Sequence, residues 1–329
     1  MRRMPTFIPG VRLSELFHRD VVAPILRRRF ARLRYSAGLL GGGSEILAFD
    51  DLESTDHHWG VRLLLFLDDR DYAKRRREIS RVLSDEIPVA FRGYSTNFTP
   101  PDPNDNGTRL PRFVARGPVN HMIEIETTAT FIRRKLDIDS STPVTDAQWL
   151  AFPQQSLLEV TAGRIFHDGL GKLHPMRRKF AYFPKHVWLE RMARQWHEIG
   201  EEEPFVGRTG FRGDEIGSRV IAARLVQRLM ELCFLIERRY APYSKWFGTA
   251  FARLPRAKRL VPIFQRALAA VDWHEREKHL SRAYEAVARM HNALRVTPPL
   301  PARVSRFHRR PYRVIHGDAF ARALREVKR

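Results

Sequence analysis

Apolar and polar positions follow different periods in the two halves of the chain. Across residues 13–30, Leu16, Phe17, Val21, Pro24, Ile25 and Phe30 recur at roughly helical spacing, and Arg27, Arg28 and Arg29 fall near the end, where cations suit the helix dipole. A short apolar segment at 35–40 then runs into GGGS at 41–44, and VRLLLFL at 61–67 is the continuous apolar run of a buried strand. A helix is predicted over 69–86, a strand at 89–93, and another at 121–127, where HMIEIET alternates and carries β-branched residues. TPPDPNDNGTRLPR at 99–112 holds too much Pro, Asn and Gly for regular structure and is expected to be a long exposed loop. A helix over 131–136 closes this half.

From residue 146 onward the period becomes helical, with helices predicted at 146–152, 154–162, 185–198, 214–240, 260–270 and 273–294. Asp214 and Glu215 open the longest of these, where acidic groups suit the positive end of the dipole. TPPLPAR at 297–303 ends the helices and leads into a basic tail with a short strand predicted at 312–315. These patterns define an α+β protein: strands with flanking helices over 1–140, then an all-α helical domain over 141–329. The chain shows no internal repeat.

With 43% hydrophobic and 29% charged residues in 329, the composition excludes a disordered, collagen-like or coiled-coil chain. Lys and Arg number 58 against 37 Asp and Glu, a formal charge of +21. Such a field favours anionic partners, a nucleotide or a nucleic acid, although the excess of arginine over lysine has a second explanation in a GC-rich genome. The lone Cys233 excludes an internal disulfide and reads as a core residue; no secretory leader pattern opens the chain, so the expected location is cytoplasmic. The most hydrophobic helix, around 221–236, is interrupted by Arg224, Arg228 and Glu231, so no membrane span is expected.

The candidate chemistry lies in the first half. A Gly-Gly-Ser turn after an apolar strand presents backbone N–H groups and a hydroxyl with no side chain in the way, so Gly43 and Ser44 are candidates to hold phosphates. Asp56-His57-His58 comes just before the buried strand at 61–67. On an extended segment, residues two apart point to one face, so Asp56 and His58 are expected to reach one metal ion together, with His57 facing away. A third acid, Glu124 or Glu126, lies on another strand; solvent-facing strand residues are the competing reading for both. Such a set would hold Mg²⁺ against phosphate oxygens and orient an attacking hydroxyl.

These residues resemble the nucleotidyltransferase superfamily, whose signature is a hydrophobic residue, Gly, Gly or Ser, about ten residues, then Asp-x-Asp/Glu, with a later acid on a neighbouring strand. Over nearly the whole chain the sequence also resembles a bacterial family of uncharacterised proteins, a domain of unknown function, that joins such a domain to a helical C-terminal region. The strings that carry this are GGGSEILAFD, STDHHWG, FRGYSTNF, WHEIGEEEPFVGR, GDEIGSR, YAPYSKWFG and MHNAL. Where the family pattern has STDHDWGPR, this chain has His58 for the second acid and Val61 for the proline. Imidazole suits Zn²⁺, Mn²⁺ or Fe²⁺ better than Mg²⁺ and removes one negative charge. The resemblance implies a mixed sheet with flanking helices over 1–140, with the helical domain over 141–329 as the other wall of a cleft; it aligns with Glu124 as the third acid, with Glu126 as its neighbour, and implies Asp56 and Glu124 as catalytic acids with Mg²⁺ or Mn²⁺. The activity it implies is metal-dependent transfer of NMP from an NTP, ATP by preference, to a hydroxyl of a small molecule or macromolecule. His58 opens the alternative of a catalytically degenerate nucleotide-binding or nucleic-acid-binding protein.

In the helical half, EEEPFVGRTGFRGDEIGSR gathers charge around glycines. Arg208 is a candidate phosphate contact, and Glu202, Glu203, Asp214 and Glu215 are candidates to recognise a cationic small-molecule acceptor, against a solvated loop whose acids merely serve the helix start. Lys245, between aromatics in YAPYSKWFG, is a second candidate for the triphosphate, with a surface lysine lying along apolar neighbours as the alternative. His291 and Asn292 are expected to satisfy core polar contacts.

Overall fold

The computed structural model describes residues 6–328, in which the chain divides into two compact units. The first ends at Val144 and takes up Ser156–Ala181 again; the second comprises Thr145–Gln155 and everything from Tyr182. The pattern along the sequence suggests one division at 140 and 141, whereas segment 156–181 packs with the first unit because it carries a strand of that unit's sheet.

In the first unit, α1 (Gly10–Phe17) passes through a π-helical turn (His18–Val22) into α2 (Ala23–Arg29). Then come β1 (Ser36–Leu39), β2 (Arg62–Phe66), α3 (Asp69–Glu86), a small hairpin of β3 (Ala90–Phe91) and β4 (Tyr94–Ser95), β5 (Met122–Glu126) and α4 (Thr128–Leu136). After α5 (Asp146–Ala151), which lies in the second unit, come α6 (Gln154–Thr161), β6 (Arg164–Asp168) and α7 (Leu173–Lys179). The sheet runs β5-β2-β1-β6, with β2 and β5 parallel and β1 antiparallel to both β2 and β6. It is therefore mixed and flanked by helices, an α+β arrangement. The apolar run of β2 is buried from Leu63 to Phe66, and Leu13, Phe17 and Leu26 join Ile79 and Leu83 of α3 in the same core. Asp68 caps α3 by accepting the Asp71 N–H at 2.8 Å, which fixes where the helix begins. The strand expected at 89–93 shrinks to two residues, because Arg92 and Gly93 both take positive φ and turn the chain back on itself. The loop at 99–112 lacks a strand but is pinned by single bridges, Phe98 to Pro111 and Asp102 to Thr108.

The second unit consists of α5 with α8 (Lys185–Glu202), α9 (Phe205–Gly210), α10 (Glu215–Ile236), α11 (Ser244–Phe251), α12 (Val261–Ala269), α13 (Trp273–Ala293), the hairpin β7 (Ser305–Arg306) with β8 (Arg313–Val314), and α14 (Gly317–Lys328). Along α8, Trp188, Leu189, Met192, Ala193, Trp196 and Ile199 are buried at helical spacing. The tail ends in a helix: Phe320, Ala321 and Leu324 of α14 are buried, and Phe320 stacks on Trp196 at 4.2 Å. Among the described residues no helix is long and apolar enough to cross a membrane.

Candidate functional site

The glycine turn follows β1. Gly41 and Gly43 take φ values of 97° and 132°, conformations that an L side chain adopts only under strain, and a Cβ on Gly43 would collide with Arg62 and Glu45. Gly42 and Gly43 are exposed and Ser44 is half-buried. Among the described residues, no hydrogen bond engages the backbone N–H groups of Gly42, Gly43 and Ser44 or the Ser44 hydroxyl. Beside the turn, buried Glu45 pairs with Arg62, which donates through Nε at 2.8 Å and through Nη2 at 2.5 Å, and the same Nη2 reaches the Gly42 carbonyl at 2.6 Å. The turn thus combines unused donors with a guanidinium held in place from behind.

Asp56 lies at the end of a 3₁₀ turn (Glu53–Asp56), His57 is extended, and His58 takes φ 47°. The segment is therefore not a strand, and the argument that places residues 56 and 58 on one face fails here. His57 does not face away from Asp56: its Nδ1 lies 2.7 Å from the Asp56 carboxylate, whose side chain is 65% exposed. The His58 N–H donates to the Arg109 carbonyl at 3.1 Å. Burial, then Arg62, His57 and Arg109, push the His58 imidazole below its ordinary pKa, which keeps it neutral and able to donate a lone pair. Trp59 is core, its indole N–H on Asp50 at 3.0 Å.

Glu124 sits opposite Leu64 in the parallel pair, its side chain 57% exposed and 3.5 Å from Arg134. Glu126, two residues on, is buried, takes the same Arg134 at 2.6 Å, and is raised in pKa by that burial. In the sequence Arg109 is marked only as part of a loop. Its guanidinium holds the carbonyls of Thr99, Asn120 and His121, and it interacts electrostatically with both His58 and Glu124. Gly43, Arg62, His58, Arg109 and Glu124 therefore form one connected neighbourhood. Arg62 carried a sequence signal, since it closes the string before the buried strand; Arg109, inside a Pro-rich loop, carried none.

Asp56, His58 and Glu124 do not bring ligand atoms within 4.8 Å of one another; among the described residues the group that does is His197, Glu201 and Asp318. Arg62 and Arg109 also act on His58 with the charge that repels a cation. As placed, these three residues do not fit a resident divalent ion.

In the helical unit the expected acceptor residues are engaged in structure. Glu202 pairs with Arg224 at 2.6 Å. Glu203 is buried and accepts the backbone N–H groups of Ile315 and Gly317 where α14 begins, and burial pushes its pKa up to about 7. Asp214 caps α10 through the Gly217 N–H at 2.8 Å, and Glu215 pairs with the fully buried Arg276 at 3.0 Å. Arg208 lies over the Phe205 ring at 5.0 Å, and exposed Lys245 over Trp246 at 5.1 Å. His291 accepts the Trp196 indole N–H at 3.1 Å, and Asn292 brackets the Leu300 backbone. Cys233 is buried and its thiol pKa is raised by that burial.

Residues 149–247 match the profile of a family described as a domain of unknown function, DUF4037. The chain is similar in structure to a nucleotidyltransferase-like protein from Exiguobacterium sibiricum, with 12% identity, a TM-score of 0.33, and coverage of 89% of this chain and 82% of that one. No curated protein matches it in sequence.

Proposed function

We propose that the protein is a nucleotidyltransferase-like nucleotide binder, in which the glycine turn takes the phosphates of a nucleoside triphosphate. The observation that carries this reading is the set of three unused backbone N–H groups, at Gly42, Gly43 and Ser44, in an exposed turn next to Arg62. Phosphate oxygens would accept from those groups and from the Ser44 hydroxyl, while Arg62 and Arg109 offset the charge. An imidazole at position 58 leaves the site one negative charge short of the superfamily pattern, which favours binding without turnover.

A second reading is metal-dependent transfer of NMP from the NTP to a hydroxyl. What favours it is that the Asp56 and Glu124 carboxylates are each more than half exposed, so that a nucleotide bringing Mg²⁺ or Mn²⁺ with it could draw them from His57 and Arg134. Its acceptor would be a small molecule or macromolecule, and a cationic acceptor would need carboxylates other than Glu203, Asp214 and Glu215.

A thermal-shift titration with ATP, GTP, CTP and UTP, each alone and with Mg²⁺ or Mn²⁺, tests both, since a ligand of the native state raises apparent stability by mass action. The wild type should be stabilised by triphosphate without metal, and His58→Asp should acquire a metal requirement. No shift with any nucleotide in either protein would sink the proposal. Pyrophosphate release by the wild type with Mn²⁺, lost in Asp56→Asn, would establish the second reading instead.

A further inference from the structure

The helical unit carries a cavity of about 620 Å³, lined in part by Arg208 and Asp214. Arg208, Arg212 and Arg310 converge on it, from the α9 end, the turn after it, and the β7–β8 hairpin. Among the described residues none of the three forms an ion pair, in a chain where many other arginines do. The single carboxylate in the lining, Asp214, is occupied as the cap of α10.

Apart from Thr209, the rest of the lining is aromatic. Phe211 is 66% exposed and Phe205 38%, unusual for side chains of that size, while Tyr312, from the hairpin, is buried. Phe205 already has the Arg208 guanidinium over its face at 5.0 Å, which holds that cation in place before any ligand arrives. Unpaired guanidinium groups select a phosphate, which they can bind through two parallel hydrogen bonds each. Open rings beside them select a planar base by stacking. A phosphate alone would leave the rings exposed, and an apolar ligand would leave three cations unpaired.

From this juxtaposition we propose that the Arg208, Arg212, Arg310 cavity is a binding site for a nucleoside phosphate, with the phosphate on the three arginines and the base on Phe211. The site is complete within the helical unit and needs nothing from the glycine turn. Its ligand is either a free nucleotide or the end of a nucleic acid strand, which share this chemistry.

Isothermal titration of the full chain with ADP, without metal, tests it. The wild type should bind ADP, and Arg212→Gln with Arg310→Gln should weaken that event about a hundredfold, roughly tenfold for each lost charged contact. Phe211→Ala should weaken ADP about tenfold while leaving competition by inorganic phosphate unchanged. All three positions are exposed, so melting temperatures should stay at the wild-type value, which separates loss of ligand from loss of fold. ADP bound equally by wild type and the arginine double variant, or not bound by the wild type, overturns the proposal. Loss of ADP in Gly43→Ala but not in the arginine variants assigns the binding to the glycine turn and also overturns it; loss only in the arginine variants supports it even if the turn binds nothing. A 5′-phosphorylated octaribonucleotide that binds more tightly than ADP identifies a strand end as the ligand, and equal affinity a free nucleotide.

Discussion

The two units use their acidic residues in opposite ways. Around the glycine turn, Asp56 and Glu124 keep more than half of their side-chain surface in water and make contacts that a ligand could displace. In the helical unit, Glu203, Asp214 and Glu215 hold a chain reversal, a helix start and a buried guanidinium. Asp56 and Glu124 are thus available for chemistry, whereas these acids of the helical unit are consumed by folding, as Glu45 is beside the turn itself. What separates them is what the fold brings within reach: backbone N–H groups or a guanidinium at Glu203, Asp214 and Glu215, and among the described residues no backbone N–H at Asp56 or Glu124.

Truncations should expose this difference most strongly where the helical unit is tightest. Phe320→Ala removes a ring that is 1% exposed and stacked on Trp196, and should cost about 4 kcal/mol in urea unfolding followed by far-UV circular dichroism. A cost under 1 kcal/mol would mean that α14 is not part of the cooperative core. Glu215→Ala leaves Arg276, fully buried and otherwise bonded only to Ser218 and the Ala270 carbonyl, without its carboxylate, and should cost about 3 kcal/mol.

Acid should divide the units. His18 of the first unit is pushed down to about 4, by burial first and by His167 second, from 6.5. Unfolding therefore takes up a proton between those values: the stability from burying neutral His18 is whole above pH 6.5 and is lost as pH falls through 4, on the order of 2 kcal/mol. His291 behaves alike in the second unit, lowered by burial to about 4. There, however, Glu203 is raised to about 7 from 4.5, so the folded state keeps a proton that the unfolded state gives up, and stability rises as pH falls through that window. Hydrogen exchange read by mass spectrometry at pH 7 and 5, corrected for intrinsic rates, should show protection falling in α1 and β1 but little changed in α8 and α14. Equal loss in both would remove Glu203 as the compensating group.

At the glycine turn the expected effects on stability are smaller. Gly43→Ala should cost about 1 kcal/mol for a side chain at φ 132°, and should abolish any triphosphate-induced thermal shift. Glu124→Ala should stay within about 0.5 kcal/mol in the same assay, and a larger cost would make Glu124 a structural residue like the acids of the helical unit.

The sequence by itself determined the periodic elements. The apolar run of β2, the helix over 69–86, the alternation of β5 and the helical array of the second half are all local patterns, and a period of two or of 3.6 is legible without knowing the partner. It also determined the glycine-serine turn at 43–44. Only the tertiary structure decided what depends on contacts distant along the chain. The short, half-exposed β6 becomes a strand because β1 offers it an edge far back along the chain, with Gly38 opposite Ile165, where 38 and 165 carry no shared local signal. The tail becomes a helix because Phe320 meets Trp196, and Arg310 and Tyr312 reach Arg208 because the hairpin folds back. Whether a carboxylate is a ligand or a cap was settled in the same way, since local sequence gives the charge of a side chain but not which backbone donors another part of the chain will bring to it.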